Sequence, residues 1–160
     1  MADLYPTFDV PAILEEGQKT EAIYKGSAFF DFEKGDFALD GAGRIAAASG
    51  FDAWKQWCIK TIATERGAFY HYTGGLGIEG EAAMGQPTEA LQRLALETTI
   101  REALLADPYG RTVEVRDFAW SRGADSLHMS CTVVGQDDRT AVIGYDIPLE
   151  RREAAWNTNL

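Results

Sequence analysis

Cysteine and histidine are scarce in this 160-residue chain, which carries two of each. Cys58 and Cys131 stand far apart, with no CxxC pair and no Cys/His cluster beside them. Neither a disulfide framework nor a zinc site is indicated, and two buried, reduced thiols are expected. Positive charge is also in short supply: 15 Lys+Arg face 25 Asp+Glu, for a formal net charge of -10. That field repels a phosphate backbone and an anionic leaflet, so nucleic acid and membrane surfaces drop out as expected partners. No apolar run approaches the ~18 residues that span a bilayer. The start Met1-Ala2-Asp3-Leu4-Tyr5-Pro6 has neither the basic nor the apolar region of a signal peptide, which leads us to expect the chain in cytoplasm.

Apolar residues, at 46%, are plentiful enough for one real core, so one domain is expected and disorder as the main state is not. Residues 1–27 carry Pro6, Pro11, Gly17 and Gly26 among acids without a lasting period, which predicts an extended arm. From Ala28 the pattern sharpens. Phe30 and Phe32 alternate with Asp31 and Glu33, Lys34-Gly35-Asp36 breaks the run, and Phe37 and Leu39 alternate before Asp40-Gly41. This predicts a hairpin, continued by a short strand through Arg44-Ile45-Ala46. Asp36 and Asp40 lack the spacing of a calcium loop and are read as solvated.

Ser49-Gly50-Phe51-Asp52 has the form of a capping box, with the serine hydroxyl on a free N–H and Asp52 reaching back to the serine N–H. Phe51, Trp54, Cys58 and Ile62 then recur on one helical stripe facing the core. Glu65 extends that stripe, and a carboxylate on a buried face needs a partner, because desolvating it alone costs several kcal/mol. Arg66 follows, ~100° round if the helix persists. The glycine-rich stretch from Gly67 to Gly85 surrounds Phe69, Tyr70, Tyr72 and Leu76. It predicts a short strand at 68–72 and then a structural loop, since Walker and Rossmann spacings are missing.

Pro87 suits a first helical turn, and Asp107-Pro108 stops the segment. Between them Leu91, Leu94 and Leu105 form one apolar strip and Leu96, Ile100, Ala103 and Leu104 another, predicting a helix gripped on two sides. Arg93, Glu97 and Arg101 lie between the strips, as a solvated edge or a contact surface. In the last third Val113 and Val115 share one phase, Phe118 and Trp120 the other, so a bulge is implied near Arg116-Asp117. Leu127, Met129, Cys131 and Val133 alternate with polar residues, and Ala141, Ile143, Tyr145 and Ile147 repeat the alternation. The expected fold is α+β: an N-terminal hairpin, two main helices and a C-terminal three-stranded antiparallel meander. One domain over 28–148 would sit between the arm at 1–27 and a mobile tail at 149–160.

Catalytic patterns are thin. His71 and His128 have no triad partner in a recognisable motif. Glu65 has the makings of a glycosidase acid with Asp31, Asp36 or Asp40, yet no spacing singles out a pair. No catalytic residue, metal or cofactor is therefore assigned. A meander ending near a chain terminus leaves an edge strand, whose unpaired N–H and C=O groups suit an incoming chain.

The run Phe30-Asp31-Phe32-Glu33-Lys34-Gly35-Asp36-Phe37, with Trp54-Lys55-Gln56-Trp57-Cys58, Thr61-Ile62-Ala63-Thr64-Glu65-Arg66-Gly67, Tyr72 and Gly77, resembles the small baseplate proteins of contractile phage tails. These are the inner-wedge or sheath-initiator proteins, found also in phage-tail-like bacteriocins and related injection machines. The likeness runs from about Phe29 to Pro148 and is nearest to the branch of Gram-positive phages and defective prophages. It implies a non-enzymatic structural role in the virion's tail baseplate, assembled in host cytoplasm in six copies around the tube. It implies anchoring of Glu65 and Arg66 to the helical core of the wedge, although this sequence lacks the proline that many relatives carry between the two. It also implies strand exchange between the C-terminal sheet (Ala141, Val142, Ile143, Tyr145, Ile147) and the first ring of sheath subunits, with the tail tube or hub as a further neighbour. The rival expectation from the same resemblance is a lysozyme-like peptidoglycan hydrolase of the baseplate.

Overall fold

The computed structural model describes residues 24–71 and 75–149. Most of the predicted arm (1–23), Tyr72, and the tail from 150 onward lie outside the described residues.

Strict apolar alternation places one face of a strand against a core and the other against water. The C-terminal third obeys it: β5 (Thr112–Arg122), β6 (Ser126–Gly135) and β7 (Thr140–Pro148) form an antiparallel sheet in the order β5-β6-β7. Leu127, Met129, Cys131 and Val133 of β6 and Ala141, Ile143 and Ile147 of β7 are buried on one face. Two helices cover that face. α1 (Gly50–Ala63) supplies Trp54, Cys58 and Ile62 to the common core, and α3 (Glu89–Leu105) supplies Leu96, Ile100, Ala103 and Leu104. A short α2 (Gly80–Met84) packs along α3. Both cysteines are free and buried, and burial raises both thiols, Cys131 to about 11, which leaves them as inert core groups.

Ser49 caps α1 as expected, its hydroxyl accepting the Asp52 N–H at 3.3 Å. The reciprocal half differs: the Asp52 carboxylate accepts a hydrogen bond from the Ser49 hydroxyl at 2.6 Å and pairs with Lys55 at 2.7 Å, not with the serine N–H. At α3 the cap is Thr88, so Pro87 precedes the helix and is not part of its first turn. The helix is gripped on one side among the described residues. Leu91, Leu94 and Leu105 are 44%, 61% and 43% exposed, while the second strip is buried.

The N-terminal hairpin is β2 (Phe30–Asp31) with β3 (Asp36–Phe37), Phe30 opposite Phe37, and a turn through Gly35 at φ 70°. It lies beside β1 (Ser27–Ala28), which pairs with β4 (Ala47–Ala48). The short strand expected at 44–46 is thus displaced to 47–48, with Ile45 making a single bridge to Leu39. Of the strand expected at 68–72, the described residues 68–71 are bends and turns, with Phe69 57% and Tyr70 95% exposed. Aromatic, strand-favouring composition does not make a strand by itself, because strand preference records packing on a pleated surface and not an intrinsic backbone bias.

Two anchors fix the sheet to the helices. At the β5 end, buried Asp107 and Arg111 form a bidentate pair (Nε–Oδ2 2.7 Å, Nη2–Oδ1 3.0 Å). The same carboxylate accepts the N–H groups of Tyr109 and Arg111, and the guanidinium stacks on Trp57. Such a pair holds only because every lone pair is engaged. At the β7 end, Tyr24 donates its hydroxyl to Asp137 at 2.8 Å and rests against Phe51 and Trp54. Burial, then the Asp137 bond, push the Tyr24 pKa up to about 12. Its seat requires two glycines, because a Cβ on Gly50 or Gly135 would come within 2.2 Å of Tyr24 oxygen atoms.

Candidate assembly surfaces

An antiparallel ladder bonds alternate residues, so the strand's register decides which backbone groups are left for a newcomer. The bonds Gly135 N–H to Arg139 O and Leu149 N–H to Asp125 O flank the β6–β7 ladder. The bonded pairs between them are Val133/Ala141, Cys131/Ile143, Met129/Tyr145 and Leu127/Ile147. The N–H and C=O groups of Thr140, Val142, Gly144 and Asp146 therefore face the outer edge, where no described strand pairs with them. Of the residues expected at a strand interface, Val142 alone offers its backbone outward, and its side chain is 74% exposed. Ala141, Ile143 and Ile147 are buried and Tyr145 is half-buried, its hydroxyl pKa raised by burial and then by Asp146. Those four shape the strand from the inside. Beside the edge, His128 Nδ1 lies 2.8 Å from Asp146 Oδ1 across the ladder.

The opposite edge is handled differently. β5 shifts register between Thr112 and Glu114 and again between Arg116 and Ala119. The second shift is the predicted bulge, with Asp117 forced to φ 55°, a conformation costly for a residue with a Cβ. The first was not foreseen. It buries Thr112 and Val115 and turns Val113 57% out to solvent, so the two valines do not share a face. The Thr112 hydroxyl, thus turned inward, accepts the Trp54 indole N–H at 3.1 Å. Glu97 and Arg101 of α3 make contacts to β5: Trp120 Nε1–H donates to Glu97 at 2.8 Å, and Arg101 Nε donates to the Val115 carbonyl at 3.4 Å while lying over Phe118. Arg93 instead pairs with Glu89 on its own helix.

Glu65 and Arg66 lie beyond α1, which ends at Ala63 with Thr64 extended. Glu65 is consequently off the helical stripe. Its neighbour is a returning segment: Arg66 N–H donates to Ile78 O at 2.8 Å, and Ile78 N–H to Thr64 O at 2.9 Å. The close approach needs Gly77, at φ 107°, where a Cβ would be 2.6 Å from Thr64 O. The half-buried Glu65 carboxylate accepts the N–H groups of Gly80 at 3.0 Å and Glu81 at 3.3 Å, and Arg66 donates to Gly77 O at 3.2 Å and Glu79 at 2.9 Å. The partner sought for Glu65 is thus, in this chain, the start of α2. Burial holds the Glu65 pKa above its ordinary value against the pull of those N–H groups, with the Glu81 and Glu79 charges adding to the rise. Asp31 and Asp40, weighed with Asp36 as its partners in a hydrolase, have carboxylates engaged by turn N–H groups of Lys34, and of Arg44 and Ala42, which lower their pKa values.

Sequence reading includes Gly77 in the resemblance but not its approach to Thr64, and it does not find Glu79 or the α2 N–H groups. The Asp107-Pro108-Tyr109-Gly110 run was a findable signal, since Asp and Gly bracket it at the ends of a turn.

The family model of the contractile injection system sheath initiator matches residues 26–138. The matched span includes the Glu65–Arg66 corner and ends in the turn before β7. No curated protein matches the chain.

Proposed function

The chain belongs to the contractile injection system sheath initiator family, and from that premise we propose that it docks on the wedge of a baseplate and templates the first sheath ring by strand addition. Membership makes it a structural component of a contractile tail's baseplate that works with sheath and baseplate components. The finer assignments are ours. Glu65 and Arg66 anchor the protein to the wedge core, with Arg66 Nη2 as the group given to a neighbouring chain. The outer edge of β7 receives a sheath strand, and about six copies surround the tube, as the resemblance implies. The particle is a phage tail or tail-like bacteriocin of the Gram-positive branch, assembled in host cytoplasm.

The observation that carries this reading is the β7 edge: an unbroken register from Thr140 to Pro148 whose outward groups no described strand takes up. A fixed edge lowers the ordering cost of the first incoming strand, which is how a protein without turnover can initiate a polymer. The test is sheath polymerisation on wedge–tube complexes carrying Val142→Pro, with circular dichroism confirming the fold. Loss of sheath with the wedge intact is expected, and normal polymerisation would refute strand addition. For the anchor, Glu65→Ala/Arg66→Ala should detach the protein from the wedge, and unchanged wedge assembly would refute that role.

A further inference from the structure

The Glu65–Arg66 corner opens onto a second surface. Glu79, which pairs with Arg66, begins a groove of 420 Å³ between α2 and α3. The small residues Ala82, Ala95 and Thr98 line it together with the exposed leucines Leu91 and Leu94. Leu91, Leu94, Thr98 and Leu105 recur along α3 at the spacing of a helix-packing seam, yet no described helix covers that seam. The groove's charged lining is of one sign: Glu79 and Glu102 contribute to it, no Lys or Arg does, and Glu102 makes no ion pair among the described residues.

We propose that this groove receives an amphipathic helix of a baseplate partner, carrying aliphatic anchors one turn apart for the gap between Leu91 and Leu94 and a Lys or Arg opposite Glu102. The proposal rests on the wedge-docking reading and names the chemistry of that partner. A groove between two helices fits a third helix by ridge packing, and its rim selects for positive charge. A second copy of this chain is the poorer occupant, because isologous pairing would set two grooves with only acidic charged linings against each other in a molecule of net charge -10. Continuity with Glu65 and Arg66 makes the corner and the groove two ends of one docking surface.

The experiment measures binding of the full-length protein to the purified wedge complex of its own particle. Leu91→Ser/Leu94→Ser and Glu102→Lys should each weaken binding about tenfold or more, with melting temperatures near wild type because these side chains are exposed. Zero-length carbodiimide coupling should join Glu102 to a lysine on a wedge helix, and Glu102→Gln should abolish that product. Binding within about twofold of wild type for both variants, while Glu65→Ala/Arg66→Ala still abolishes it, would overturn the groove and leave wedge docking standing. No binding by the wild type would overturn both. A wild-type dimer dispersed by Leu91→Ser/Leu94→Ser, or new wedge binding through the groove only after removal of residues 1–23 or 150–160, would also overturn the proposal.

Discussion

β5 and β7 flank the same central strand, yet β5 is broken by two register shifts and reached from α3 by Arg101, whereas β7 runs unshifted from Thr140 to Pro148 with its outward groups unpaired in the described residues. Bulges, charges and covering side chains are the means by which an edge is kept from pairing with other chains. This molecule applies them to β5, where Glu114, Arg116 and Asp117 line the bulged stretch. β7 carries few of them: Asp146 is tied to His128, and Pro148 stands at the strand's end. The contrast teaches that the two edges of one sheet differ in kind: β5 is interrupted and covered, and β7 is regular and open among the described residues. Each edge is anchored at its root, β5 through Asp107–Arg111 and β7 through Tyr24–Asp137.

The largest expected effect falls on the closed side. Asp107→Ala leaves Arg111 buried without its counter-charge and should cost about 3–5 kcal/mol, read as a drop in the denaturation midpoint; a change within error would mean that β5 is not held by this pair. Next comes a proline pair on the open side. Ile143→Pro removes a ladder bond to β6 and should cost about 3 kcal/mol. Val142→Pro removes only an outward N–H and should leave the fold within about 1 kcal/mol of wild type while sheath assembly fails. Equal destabilisation by both would show that the ladder register is misassigned. Arg101→Ala uncovers the Val115 carbonyl and should cost about 1 kcal/mol without recruiting sheath to β5, because the bulges remain. Recruitment there would collapse the distinction between the edges.

The smallest effect concerns the Glu65–Arg66 corner. Because Glu65 has a raised pKa in the folded state, its contribution to stability is fully present below its ordinary value of 4.5 and is lost as pH rises through the raised folded value. Glu65→Gln should flatten the stability–pH curve just above 4.5, measured by denaturation at fixed ionic strength. An unchanged slope would assign the pH dependence elsewhere.

Much of this arrangement is legible in the chain. Side-chain alternation located β6 and β7, Ser49 marked the start of α1, and the phase change around Asp117 revealed a bulge, because each is a local rule with one outcome. Long-range events were hidden. Nothing near Glu65 announces that Thr64 turns extended and that Gly77 brings Ile78 alongside, so the spacing puts the carboxylate on a helix that has already ended. The bulge after Thr112 was missed because two valines spaced by one residue imitate regular alternation. The leucine strip of α3 looks gripped in the sequence although it is exposed, since periodicity records a face and not what covers it.

Residue-resolved amide hydrogen exchange on β7, before and after sheath assembly, tests the central claim most directly. The N–H groups of Thr140, Val142, Gly144 and Asp146 should exchange freely in the isolated protein and become protected in the assembled particle, while those of Ala141, Ile143, Tyr145 and Ile147 stay protected throughout. Unchanged exchange at the four outward amides in a fully sheathed particle would contradict strand addition at this edge.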